Sequence, residues 1–277
     1  MTSHPRLVDV QWLRDRLDDP SIRVVDATVH LTFDAEGAHT ESGRATYREA
    51  HVPGATFADQ LADLTVHDGE APFEAAPSDQ FARVIGDLGI GNGHTVVVYD
   101  HVNGIWATRL WWQLELEGHP DVVVLDGGLK AWQDAGLPVE TGDATYEPAR
   151  FTPSRSSERI ASTADVEAAT QDGSVLLINS LDRESFAGGR IPGSVNVPFG
   201  ELVDEQGRLR SLDELRPLFE SVGALDPEVA PVTYCGGGIA ATAVAFALKG
   251  LGRDDVAIYD GSLNAWTADP ARPLEQG

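Results

Sequence analysis

The chain contains one pattern twice. An internal repeat restricts the possible folds more than any composition does. Around residue 100 the sequence reads TVVVYDHVNGIWATRLWWQLELEGHPDVVVLDGGLKAW, and around residue 235 it reads PVTYCGGGIAATAVAFALKGLGRDDVAIYDGSLNAW. Asp100 therefore stands where Cys235 stands in the second copy. A second landmark follows Asp100 by 26 residues, Asp126-Gly127-Gly128-Leu129-Lys130-Ala131-Trp132, and follows Cys235 by 25, Asp260-Gly261-Ser262-Leu263-Asn264-Ala265-Trp266. Upstream, His51-Val52-Pro53-Gly54-Ala55 matches Arg190-Ile191-Pro192-Gly193-Ser194, and Val24-Val25-Asp26-Ala27 resembles Leu177-Ile178-Asn179-Ser180. Four landmarks in one order at similar spacing predict two homologous domains. The stretch from Glu140 to Ser157 is rich in Thr, Gly, Pro and Ser and has no clear period. A linker is accordingly placed at 142–159, between domains at 1–141 and 160–277.

Each copy has the same grammar. Short β-branched runs at 23–26, 95–99 and 122–125, then at 175–178, 232–234 and 256–259, read as buried strands. Between them, 105–117 and 239–250 read as helices, with Gly118 and Gly250 where helix ends favour glycine. Strand alternating with helix predicts an α/β class, two tandem domains, each a mainly parallel sheet flanked by helices.

Several functions are disfavoured. The net charge of −24 repels nucleic acid and anionic membrane surfaces. The longest mostly apolar stretch, Ile239 to Leu248, has ten residues, about half a membrane span. The N-terminus lacks a basic region followed by an apolar core, so no signal peptide is expected and a cytoplasmic location is. One cysteine permits neither an intramolecular disulfide nor a zinc site built from several thiolates. No Walker loop or Rossmann glycine fingerprint occurs, and no metal or cofactor is expected.

The chemistry concentrates on Cys235. It directly follows a strand, at the carboxyl end where open α/β sheets bind ligands. Gly236, Gly237 and Gly238 follow, and a helix begins shortly after. Such a loop can turn several N–H groups onto one atom, forming an anion nest beside the positive end of a helix. A helix end contributes about 0.3–1 kcal/mol. Each charge-assisted hydrogen bond contributes about 1.5–3 kcal/mol, so backbone donors dominate the stabilisation of a thiolate or persulfide. All eight histidines lie between His4 and His119, so none is available within the second copy. Position 241 is alanine, which removes the Cys-x5-Arg spacing by which cysteine phosphatases grip phosphate. The blander reading is a tight turn with an incidental buried thiol.

On these residues the chain resembles the tandem-domain rhodanese family. The residues are Gly43-Arg44 with His51-Val52-Pro53-Gly54-Ala55, Asp126-Gly127-Gly128, Cys235-Gly236-Gly237-Gly238-Ile239-Ala240 and Asp260-Gly261-Ser262. The resemblance covers nearly the whole chain. It implies two rhodanese-like domains, the first inactive with Asp100 at the cysteine position. It implies ping-pong transfer of sulfane sulfur from a small anionic donor, thiosulfate or 3-mercaptopyruvate, to cyanide or a thiol through a Cys235 persulfide. The loop from Cys235 through Gly236, Gly237, Gly238, Ile239 and Ala240 is then the active-site loop. Arg183 is the candidate substrate-binding arginine or, equally, a solvated surface residue. The family's basic loop residues and the serine of its mercaptopyruvate-using members are absent, with Gly237 at that serine's position; thiosulfate ranks first and 3-mercaptopyruvate second.

Two other function classes are compatible with the residues. One is a non-catalytic sulfur-relay or binding module whose cysteine accepts sulfur from a partner protein. The other is phosphate or arsenate chemistry on the cysteine, which the missing arginine disfavours. Trp106, Trp111 and Trp112 are expected to pack in a core or domain interface, Trp106 alternatively lining a cleft that faces Cys235. The two Asp-Gly turns are expected to brace the fold.

Overall fold

The computed structural model describes residues 6–34, 37–69 and 71–277. The chain divides into two compact units. The first takes the chain up to Thr65, then Ala76–Arg155 and Glu205–Arg208; the second takes Val66–Ala75, Ser156–Asp204 and Leu209–Gly277. The stretch 142–155 belongs to the first unit. It is fastened there by Ala149 N–H to the Gly86 carbonyl at 2.9 Å and Ser154 N–H to the Glu117 carbonyl at 2.8 Å.

In the first unit the strands are β1 (Leu7–Val8), β2 (Ile22–Asp26), β3 (Val29–Asp34), β4 (Gly37–Ser42), β5 (Thr56–Phe57), β6 (Thr95–Tyr99) and β7 (Val122–Leu125). The main sheet is parallel in the order β1-β7-β6-β2-β5, and β3 and β4 form a separate antiparallel pair. In the second unit β8 (Ile160–Ala161), β9 (Val175–Asn179), β10 (Val195–Asn196), β11 (Ala230–Tyr234) and β12 (Ala257–Tyr259) form a parallel sheet, order β10-β9-β11-β12-β8. Reversing one order reproduces the other, so the repeated sequence folds into one topology twice. The β-branched runs became central strands because both faces are covered: Val96, Val97 and Val98 are fully buried.

The helices after the central strands span Ile105–Leu116 and Ala240–Gly250. Trp106, Trp111 and Trp112 are all buried. Gly118 takes the left-handed conformation that ends a helix, φ +79°. The other helix ends differently: Gly250 is its last residue and Gly252, φ +98°, takes the left-handed position.

The other landmarks are braces. Val52 N–H donates to Tyr99 Oη at 3.2 Å in one unit, and Ile191 N–H to Tyr234 Oη at 3.1 Å in the other. Gly54 N–H donates to the Glu140 carboxylate and Gly193 N–H to that of Glu275. Trp132 Nε1–H reaches the Pro138 carbonyl at 2.7 Å and Trp266 Nε1–H the Pro273 carbonyl at 2.9 Å. Pro138–Glu140 and Pro273–Glu275 thus form a further repeated pair.

Burial pushes the phenols of Tyr47, Tyr99 and Tyr234 above their ordinary range. Each folded value lies above the unfolded one, so the unfolded chain releases these protons first. The stability from these burials is complete below the unfolded value of about 10 and is lost as pH rises past it. Alkaline titration is therefore expected to show tyrosinate absorbance rising together with loss of far-UV circular dichroism. Full tyrosine titration near pH 10 with the fold intact would contradict this.

Candidate active site

Cys235 begins the loop between β11 and the helix Ala240–Gly250, at the carboxyl edge of its sheet. It is 3% exposed. Gly236, Gly237, Ile239 and Ala240 are partly exposed, so the loop has an accessible face, whereas Gly238 is buried. Gly238 has φ +80°, a conformation that side-chain-bearing residues rarely adopt. The turn after β12 clamps the cysteine's backbone. Cys235 N–H donates to Ser262 Oγ at 3.0 Å, Ser262 Oγ–H donates to the Tyr259 carbonyl at 2.8 Å, and Leu263 N–H donates to the Cys235 carbonyl at 3.0 Å. Asn264 N–H adds a bond to the Gly236 carbonyl at 2.9 Å. Ser262 itself is left-handed, φ +50°. Its counterpart, Gly128, has φ +55° and lies so close to the Asp100 carbonyl that a Cβ there would collide with it. The second unit therefore holds a serine in a glycine's conformation and uses its hydroxyl to seat the cysteine. The sequence pattern marks this turn as a brace, but not the hydroxyl's target.

In the first unit the matching loop is filled by its own side chain. Asp100, 2% exposed, accepts four backbone N–H groups. Val102 and Gly104 donate to Oδ1 at 2.8 and 3.0 Å, and Trp106 and Ala107 to Oδ2 at 3.1 and 3.0 Å. This strand–loop–helix unit therefore converges donors on an anion at the end of the strand. The sequence identifies Asp100 only as the residue in the cysteine's place; that it closes an occupied anion site depends on N–H directions.

The remaining candidate, Arg183, opens the helix Arg183–Gly188. Its guanidinium is bound two-pronged by the Glu201 carboxylate, with Nε–H and Nη2–H at 2.8 and 2.9 Å, and its side chain is 66% exposed. This is a solvent-exposed ion pair.

One contributor to the Cys235 loop was not anticipated. The second unit takes in Val66–Ala75, and Phe73 from this stretch lies against Gly237. Nothing in the local sequence around Phe73 points to Cys235.

Fold and site together define a class: paired α/β domains, one with an aspartate and one with a cysteine at the same strand end. The comparisons agree. The rhodanese-like domain matches residues 9–135 and again 162–269. The chain belongs to the rhodanese family. It is 31% identical over 280 residues to the 3-mercaptopyruvate sulfurtransferase of Escherichia coli strain K12, covering 97% of each chain. It is 33% identical over 295 residues to the thiosulfate sulfurtransferase of Rattus norvegicus, covering 98% of this chain and 95% of the other. The solved structure of SseA from Escherichia coli, described as a 3-mercaptopyruvate sulfotransferase with a rhodanese fold, superposes with a TM-score of 0.85 at 30% identity. That match covers 94% of this chain and 99% of SseA. No helix among the described residues is long and apolar enough to cross a membrane.

Proposed function

We propose that this protein is a sulfurtransferase that carries sulfane sulfur on Cys235, with thiosulfate as first donor and 3-mercaptopyruvate as second. The observation that carries the reading is the Asp100 loop, a resident anion held by four N–H groups in the inactive copy of the same motif. Gly104 follows Asp100 by four residues, and its left-handed equivalent Gly238 follows Cys235 by three. A thiolate sulfur is one bond from Cβ, whereas a carboxylate oxygen is two, so a shorter side chain is matched by a shorter loop. The outer sulfur of a persulfide regains the carboxylate's two-bond reach. The N–H groups of the 236–241 segment are then the donors for both anions.

In the first half-reaction the Cys235 thiolate attacks the outer sulfur of thiosulfate. The bond between that sulfur and the sulfonate sulfur breaks, and sulfite leaves with its electron pair. In the second, cyanide carbon or a thiolate attacks the outer persulfide sulfur, and the S–S electron pair returns to Cys235. Cyanide yields thiocyanate. The donor order follows from the leaving groups. Sulfite needs no proton, whereas 3-mercaptopyruvate expels a pyruvate enolate that must gain one. The side chains of Gly236, Gly237, Gly238, Ile239 and Ala240 contain no acid to give it. To assist donor binding, Arg183 would first have to leave Glu201. The acceptors, and a cytoplasmic location without nucleic-acid or membrane partners, stand as part of the same reading, supported by the charge of −24.

Incubation with thiosulfate, removal of excess donor and intact-mass measurement are expected to show one added sulfur atom, mapped to Cys235 and discharged by cyanide. A sulfur that loads only from a protein donor would favour the relay-module alternative. No loading at all would remove the proposal.

A further inference from the structure

We propose that Phe73 is a specificity-determining wall of the Cys235 site, limiting the size of the sulfur donor. The proposal rests on the reading of Cys235 as sulfur carrier.

Three independent features point to Phe73. Its backbone lies in the left-handed region, φ +66°, and it and Ser262 are the two non-glycine residues with positive φ among those described. Such strain persists only where the surroundings overdetermine it, and it clusters at ligand sites. Ser262 holds Cys235 directly, which makes a second case in the same unit notable.

The second feature is where the ring lies. A Cβ added to Gly237 would stand 3.1 Å from Phe73 Cδ2, 3.7 Å from Phe73 Cε2 and 3.1 Å from Asn264 Nδ2. The ring and the Asn264 amide thus crowd position 237 from two sides, and a side chain there would press both by a few tenths of an ångström. Phe73 and Gly237 are both only partly buried, so ring and loop share an accessible surface.

Finally, the segment that carries Phe73 is anchored to the site's own frame. Ala75 N–H donates to Asp260 Oδ2 at 2.8 Å, and Asp260 begins the turn that clamps Cys235. On the other side, Ala71 N–H donates to Glu74 Oε1 at 3.1 Å, and Val66 N–H donates to the Glu74 carbonyl at 2.8 Å. Ala71 packs in the second unit's core with Ala265 and Trp266. The backbone on either side of Phe73 is therefore held to the second unit.

An aromatic wall against Gly237, two residues after Cys235, admits a compact donor and obstructs one with a bulky group on its sulfonyl sulfur. The chemistry is the same for both. The thiolate attacks the outer sulfur of R–SO2–S⁻, the S–S bond breaks, and R–SO2⁻ leaves with the electron pair.

The test compares thiosulfate with benzenethiosulfonate in wild type, Phe73→Ala and Phe73→Leu. The expected result is a rise of about tenfold in the benzenethiosulfonate-to-thiosulfate ratio of kcat/KM for Phe73→Ala. A smaller rise in the same direction is expected for Phe73→Leu, which keeps an apolar filler should alanine loosen the stretch. Gly237→Ala is expected to lower thiosulfate kcat/KM in wild type and by a smaller factor in the Phe73→Ala background, where the Asn264 contact remains. A donor ratio unchanged within about twofold, with Gly237→Ala equally damaging in both backgrounds, overturns the proposal; a purely structural role would lower both donors alike. Mass measurement of the Cys235 persulfide separates the two readings. A persulfide with an unchanged ratio overturns the Phe73 proposal alone, and no persulfide from either donor overturns both.

Discussion

Cys235→Ser is expected to abolish sulfur transfer, lowering thiocyanate formation by at least about 10⁴-fold with both donors. The sulfur must leave one thiophile for another, and a serine alkoxide is neither accessible at neutral pH nor a sulfur carrier. The fold should tolerate the change, because serine is nearly isosteric and Cys235 N–H keeps its bond to Ser262 Oγ. Steady-state kinetics beside a thermal melt separate the two effects. Activity within tenfold of wild type would place the chemistry elsewhere. A second consequence follows from Cys235 being the only cysteine. No resolving thiol exists in the chain to discharge the persulfide as a disulfide. The loaded enzyme should therefore persist without acceptor, and initial rates against both substrates should give the parallel lines of a ping-pong mechanism.

The largest stability effect is expected in the first unit, where aspartate stands at the cysteine's position. Asp100→Ala strands four N–H groups, two of them, those of Trp106 and Ala107, buried and two part-buried. Each unsatisfied buried donor costs about 1–3 kcal/mol, and water entering the vacated space recovers part, so a net loss of roughly 3–5 kcal/mol is expected. Asp100→Asn should recover little, because its amide turns a donor towards donors. Urea unfolding of both variants measures this, and a loss under about 0.5 kcal/mol for Asp100→Ala would show that the four bonds are not structural. Thiosulfate kcat per folded molecule should change far less than stability, since Cys235 keeps its own clamp.

The strands were legible because runs such as Thr95–Tyr99 are bounded, β-branched and apolar, and a strand buried on both faces needs no more information than that. The repeat was legible because duplicated topology preserves duplicated landmarks. Cys235 was legible because three glycines between a strand and a helix have few uses other than bringing backbone close to one atom. Other features were hidden for specific reasons. Arg183 gave no sign of its commitment to Glu201, since an exposed pair formed between a helix and a distant turn leaves no periodic trace. The left-handed residue near Gly250 is Gly252, because two glycines stand at the helix end and local sequence does not say which one takes that conformation.

The sequence by itself determined two α/β domains, a nucleophile in the second and an aspartate in its place in the first. These follow from local rules: side-chain periodicity, backbone freedom and the identity of one atom. Only the tertiary structure decided that Asp100 closes an anion site with four N–H groups, that Ser262 seats the cysteine, and that Phe73 covers Gly237. Those are matters of direction and distance, set within one loop for Asp100 and between segments far apart in the chain for Ser262 and Phe73, which local residue patterns do not encode.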